Sequence, residues 1–319
     1  MKFNCLVRTV LLTGLLSALL VPARLLAAED AKAIDDYNFA AWLYNSGKYA
    51  MATESYQTFL KNYADHSKAP EARFGMAQSL FHQDSFQLAA EQYEAVRGQY
   101  PKFAQLPEVL FQLGQARIGL NQYAEAQALF AELRARYPEH YLADWALARE
   151  GACYISLNKP KQAEPLLQIF LNKYTAAGTP AAKVPATVEM LAKLDKAGIK
   201  AGGAFLDLVE RSSFYAALAQ FNQEQFAAAR KSFQSFLESY PESKLKDESK
   251  FRQAQSLYRQ ESFVEAATAY APVAAGKSEF AEAAAFERGL ALHKAGKLKD
   301  AAAAFAEMAQ RFPGQCKIS

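Results

Sequence analysis

The chain has 319 residues, 51% of them hydrophobic, with 36 lysines and arginines against 33 aspartates and glutamates. This is enough apolar material for one or two packed domains. The net charge of +3 comes entirely from Lys2, Arg8 and Arg24; the rest is formally neutral, which removes any electrostatic argument for nucleic acid or an acidic membrane surface as a partner.

In chain order, Lys2 and Arg8 precede an apolar run, Thr9–Val21, and then Pro22–Ala28. That is the layout of a secretory signal peptide, with cleavage expected after Ala28. The run is short for a membrane span; an uncleaved anchor is the alternative. Cys5 lies too early for lipid attachment and no cysteine stands near Ala28. The mature chain, Glu29 onward, is therefore expected to be periplasmic or secreted and to carry no lipid anchor. Cys153 and Cys316 would lie far apart in a linear array, so no internal disulfide is expected. Cys316 remains open to pairing between chains, as in a homodimer.

From Tyr37 onward one pattern recurs. A marker residue stands at Tyr49, Phe86, Tyr123, Pro160, Phe226, Phe263 and Leu298, at steps of 37, 37, 37, 66, 37 and 35 residues. Three residues after each comes an alanine: Ala52, Ala89, Ala126, Ala163, Ala229, Ala266 and Ala301. Four residues later comes a large side chain: Tyr56, Tyr93, Phe130, Leu167, Phe233, Tyr270 and Phe305. Nine residues before each marker a second small column runs through Ala40, Ala77, Gly114, Gly151, Ala217, Ala254 and Gly289. Self-similarity at this period predicts an α-solenoid of about seven helix-turn-helix repeats, with small residues where paired helices cross. Pro101, Pro138, Pro241 and Pro313 are expected to end four of the second helices. The long step exposes an insert. The predicted organisation is repeats one to four over 29–174, an insert or linker over 175–203, repeats five to seven over 204–313, and a tail, 314–319. Within the insert a short helix is expected from Val184 to Lys196, with Val184, Val188 and Leu191 on one face. It reads either as a spacer or as a hinge between two halves.

The third repeat, Leu113-Gly114 followed by Ala126-x-x-x-Phe130 and Pro138, resembles the tetratricopeptide repeat family. The resemblance covers nearly all the mature chain outside the insert. Glu150, Gln253 and Arg288 replace its leucine, and the family's tryptophan is missing. The Tyr-Pro endings and the 37-residue period are similar to the bacterial cell-envelope branch, which includes outer-membrane assembly factors and the Tol–Pal coordinator. The resemblance implies an all-α fold, a right-handed superhelix and a non-enzymatic scaffold for protein–protein interactions. Its concave groove would comprise Tyr44, Asn45, Gln78, Phe81, His82, Gln115, Phe221, Asn222, Gln255, Tyr258, Arg259 and His293. Envelope proteins or peptides would bind there and at an uncovered last repeat. An alternative is the substrate-positioning part of a larger envelope enzyme such as a lytic transglycosylase, or a plain spacer.

No catalytic constellation stands out. His66, His82, His140 and His293 lack metal-ligand spacing, and the glycines of 198–203 lack the lysine and hydroxyl of a phosphate loop. No metal, cofactor or catalytic residue is expected. No run of lysines or arginines marks the first helices as a receptor for acidic tails. An aromatic column at Tyr37, Phe74, Phe111, Phe214, Phe251 and Phe286 is expected to be packing.

Overall fold

The computed structural model describes residues 30–176, 178–196, 199 and 201–313. The leader 1–28, Cys5, Cys316 and the tail 314–319 lie outside the described residues. Helices are joined by short turns, and among the described residues extended pairing is limited to one bridge between Ala176 and Thr179. The protein is an all-α array of helical hairpins. No described helix is long and apolar enough to cross a membrane. The chain forms two compact units that divide between Gln122 and Tyr123, inside the third hairpin rather than at the insert.

The first unit holds α1 (residues 30–45), α2 (Tyr49–Asn62), α3 (Ala69–Phe81), α4 (Phe86–Gln99) and α5 (Leu106–Gly119). The second holds α6 (Tyr123–Arg136), α7 (Leu142–Ser156), α8 (Pro160–Tyr174), α9 (Pro185–Lys196), α10 (Gly202–Asn222), α11 (Phe226–Ser239), α12 (Lys246–Arg259), α13 (Phe263–Ala274), α14 (Ala281–Lys294) and α15 (Leu298–Arg311). The prolines act as expected. Tyr100, Tyr240 and Phe312, each just before a proline, have left the helical region, with φ near −124°, −132° and −122°.

The alanine column is the innermost feature of both units. Six of its members are fully buried and Ala301 is 3% exposed. The second small column is buried too, and its glycines show why it is small. A Cβ on Gly151 would stand 2.7 Å from the Leu167 side chain. One on Gly289 would collide with the Phe305 ring. The glycines therefore make room for the large residue four positions past each alanine, which refines the small-against-small crossing. Gly75 does the same for Tyr56, whose ring tip lies 2.5 Å from where its Cβ would be.

All seven hairpins turn through one backbone motif. The residue two before each second helix has positive φ: Gly47 72°, Asp84 56°, Asn121 59°, Asn158 53°, Glu224 62°, Glu261 61° and Gly296 75°. The next amide donates to a carbonyl five residues back, as from Lys48 to Leu43, Ser85 to Leu80 and Ser262 to Leu257. This is the Schellman arrangement, which satisfies carbonyls left open at a helix end.

The residues that replace the family's leucine are polar but bonded. Glu150, 5% exposed, pairs with Arg134 at 2.5 Å and accepts from Gln127. Gln253 donates to Gln234, and Arg288 pairs with Glu307. In the last hairpin, Arg311 donates to the carbonyls of Ala274, Ala275 and Gly276 and so closes the end of α13.

The insert leaves the stack without interrupting it. α10 packs directly on α7 and α8 because it begins two turns earlier than the other first helices. Phe205, in that extension, is fully buried, with its ring 5.4 Å from Trp145, 6.1 Å from Phe170 and 4.9 Å from Tyr174. Within the insert, α9 forms as expected, but its inner face differs. Val188 is 50% exposed, and the buried stripe is Val184, Thr187, Met190 and Leu194. Thr187 can stand there because its hydroxyl donates to the Tyr174 carbonyl.

Candidate functional site

The groove positions implied by the resemblance fall on the first helices, and most of their aromatic rings are committed to the hairpin turns. Phe81 meets Phe86 edge-on at 5.3 Å, Phe221 meets Phe226 at 5.4 Å, and Tyr258 meets Phe263 at 5.3 Å. Tyr44 meets Tyr49 in the same way at 5.6 Å. Each ring thus packs on the marker five residues ahead, across the Schellman turn. Such pairs stabilise the hairpin whatever else is bound, and the rings remain partly exposed on the first helices.

In the first unit the structure brings Tyr44, Tyr49 and His82 together. The His82 ring stacks on Tyr49 at 4.5 Å and its Nε2 lies 3.3 Å from the Tyr44 hydroxyl. Asn45 is exposed beside them, while Gln78 and Gln115 are half-buried. Gln115 Oε1 is shielded from solvent without a hydrogen bond.

In the second unit α7, α10 and α12 carry polar groups at their solvent-facing edges. On α12, Arg252 donates to Gln255 at 3.0 Å and to Glu248 at 3.4 Å, and its guanidinium lies against the rings of Phe221 and Phe251. Arg259 covers the Phe226 ring at 4.8 Å and pairs with Glu224. Asn222 and His293 are exposed. On α10, Arg211 pairs with Asp207 at 2.7 Å. On α7, Arg149 is half-buried, and its Nε has neither solvent nor a hydrogen-bond partner. Burial, first, and then the positive charge of Arg211 hold the Arg149 pKa below the usual guanidinium range. Sequence reading missed this pair of arginines because the insert separates them along the chain.

The aromatic column is packed as expected over its middle: Phe74, Phe111, Phe214 and Phe251 are 2–7% exposed. The rings of Phe103 and Phe280, from the following linkers, close over Phe74 and Phe251. Phe286 is 45% exposed, with no following linker over it among the described residues.

A cavity of about 330 Å³ lies beneath the insert, between α8, α10 and α11. Phe236 and Leu171 line its apolar part, and Ser213, Ser232, Ser235 and Ser239 add hydroxyls. Ser232 donates to Gln220 and Ser213 to the Val209 carbonyl, so part of this polar lining is satisfied within the protein. Elsewhere Cys153 is buried, and burial pushes its thiol pKa up to about 12, which suits an unreactive packing residue. His66 bonds Asp30, and His140 accepts from the Leu142 amide. Among the described residues no group of three His, Cys, Asp or Glu side chains could hold a metal ion.

A stack of near-identical helical hairpins with a polar first-helix face defines a repeat scaffold for protein–protein interaction. Two tetratricopeptide repeat models match the chain, one over residues 37–102 and 251–315, the other over 108–140 and 211–243. The chain belongs to the tetratricopeptide repeat family. Neither match includes residues 141–210, which hold the fourth hairpin, the insert and the start of α10. Solved structures share the fold at low identity. The C-terminal part of a repeat-containing protein from Cytophaga hutchinsonii aligns with a TM-score of 0.61 at 14% identity, covering 88% of this chain and 97% of that one. A tetratricopeptide repeat protein from Parabacteroides merdae aligns with a TM-score of 0.53 at 13% identity, covering 87% and 92%. The apo form of RapI aligns at 0.51 and 12% identity, covering 88% and 97%. No curated protein matches the sequence.

Proposed function

We propose that this protein is a non-enzymatic scaffold of a bacterial cell envelope, exported by its leader, that holds partner proteins on the face formed by its first helices. The observation that carries the reading is the second unit's α7, α10 and α12. Their solvent-facing edges hold arginines, amides and partly exposed rings, the composition that suits capture of an extended peptide. The Tyr-Pro endings and the leader-like residues 1–28 support the envelope setting. Partners are expected among outer-membrane assembly, Tol–Pal or cell-division complexes.

A photo-reactive residue placed at Asn222 or Gln255 should form adducts with envelope proteins in living cells. The same residue at Ile169, exposed on the second helix α8, should form few. Adducts confined to Ile169 would reject the first-helix face. Amino-terminal sequencing of the mature protein should begin at Glu29; an intact Met1 would remove cleavage after Ala28, and recovery of the full chain from the cytoplasm alone would remove the export reading.

A further inference from the structure

In α3, α5 and α7 one stripe of the first helix faces the second helix of the preceding hairpin. Gly75 of α3 has no room for a Cβ beside the Tyr56 ring of α2, and Gly119 of α5 has none beside the Phe86 ring of α4. Glu150 of α7 accepts from Gln127 and pairs with Arg134, both on α6. Midway along that stripe, seven residues before each marker, stand Ser79, Ala116, Cys153, Ala219, Ser256 and Ala291, all small and at most 1% exposed. The first hairpin has Trp42 there, 54% exposed. Three residues earlier Phe39 is 53% exposed, whereas its counterparts Met76, Leu113, Glu150, Ala216, Gln253 and Arg288 are buried or half-buried. The two rings stack at 6.0 Å, 20° from parallel.

The inner side of α1 is firmly held. Ala33, Ala40 and Leu43 are buried, Tyr63 donates to Asp36, and His66 bonds Asp30. Its outer stripe, Ala31, Asp35, Phe39 and Trp42, is exposed. Two adjacent rings facing water on a packed helix have the composition of an interface centre. A helix seated as in the other hairpins needs a small residue where Trp42 stands, so a copy stacked end-on in the register of the array would clash. The charges at the rim favour a different approach. Asp35, toward the amino end of the stripe, and Lys48, past its carboxyl end, have no ion-pair partner among the described residues. Lys32, Lys68 and Asp30 nearby are paired, with Asp36, Glu71 and His66. Asp35 lies about 8 Å along the axis from the midpoint between Phe39 and Trp42 at the helical rise. The Lys48 ammonium leans back from the other side, to 5.0 Å from the Trp42 ring. Reversing the helix about that midpoint brings each Asp35 toward the Lys48 of the other copy, the self-complementarity that a twofold contact requires.

We propose that this protein pairs with a second copy of itself through α1, antiparallel, with Phe39 and Trp42 of both chains at the centre and two Asp35–Lys48 ion pairs at the rim. A twofold contact closes on itself, so the product is a dimer and not a filament. One helix pair is smaller than a standard interface, so the dissociation constant is on the order of micromolar or weaker.

The test is sedimentation velocity of the full mature chain, Glu29–Ser319, in reductant so that Cys316 cannot link copies. A monomer should give way to a dimer as concentration rises. Trp42→Ala should weaken the dimer by about thirtyfold or more, as loss of a central tryptophan does, with helicity unchanged. Asp35→Lys alone and Lys48→Glu alone should each weaken it by about tenfold or more through like-charge contacts. An equimolar mixture of those two variants should regain the affinity, because it restores both ion pairs. A wild type that stays monomeric at every concentration would overturn the proposal. So would a dimer that persists in Trp42→Ala, or charge variants whose mixture gains nothing. Should Trp42→Ala fail to fold, the charge variants, which leave both rings in place, decide alone. Vesicles of phosphatidylglycerol and phosphatidylethanolamine that bind the monomeric wild type but not Trp42→Ala would assign the rings to a bilayer and remove the pairing. A photo-reactive residue at Phe39 that captures another envelope protein and never a second copy would do the same.

Discussion

At the seven hairpin turns one backbone recurs over changing residues; between the fourth and fifth hairpins a different arrangement is built once. Each turn has a left-handed residue, a bond five residues back and, in most hairpins, an edge-on ring pair. The junction has an excursion of the chain, a first helix two turns longer than the rest, and Phe205 wedged among three aromatic side chains. The turns carry the regular fold. The junction is where regularity is given up, and both family matches lapse there, over 141–210.

The comparison breaks most visibly at Phe205. Phe205→Ala should cost about 3–5 kcal/mol and lower the denaturant midpoint, because nothing else fills the space between Trp145 and Tyr174. A loss under about 1 kcal/mol would mean that the junction is not a core. Ala126→Leu tests a repeated position instead. Overpacking there should cost about 1–3 kcal/mol, and a thermal melt with an unmoved midpoint would count against the alanine column.

The turns sharpen the comparison in the opposite direction. Glu261→Gly should stabilise by about 1 kcal/mol, since a left-handed residue with a Cβ is strained by roughly that amount. Glu224→Gly should behave alike, and a fall in the urea midpoint of either variant would refute the strain. The smallest effect is expected at Glu287, which holds in the last hairpin the place of Arg149 and Arg252. Burial raises its pKa. A carboxyl whose folded pKa lies above its unfolded one contributes stability below the unfolded value and loses it as pH rises through the folded value. Glu287→Gln should therefore flatten a shallow decline in stability between mildly acidic and neutral pH; an unchanged slope in paired melts would exclude it.

Much of the fold was legible in the sequence because its steric requirements recur. Seven alanines, seven large partners and a small column fix which helices cross and where. The turn was legible at Gly47, Asp84, Asn121, Asn158 and Gly296, residue types that tolerate positive φ. It was hidden at Glu224 and Glu261, which show no such preference. The long α10 was also within reach: Phe205, Leu208, Val209 and Ser212 continue its buried stripe backward at helical spacing. The glycines just before them favoured reading a linker. The candidate site was less accessible. Arg149 and Arg211 are distant in sequence, and their proximity depends on α10 returning to the stack. The turn-bound rings, by contrast, were visible as a column but not as mutual partners, because a spacing of five residues becomes a contact only after the turn has formed.

The ring of Tyr174, at the close of α8, lies 4.9 Å from that of Phe205, at the opening of α10. The excursion between them thus departs and returns at nearly one point, like a side road that rejoins the highway at the same exit. Such a segment can be lengthened, shortened or nicked near Gly178 with little change in how its neighbours sit. It offers a natural port for grafting a tag or a second recognition element.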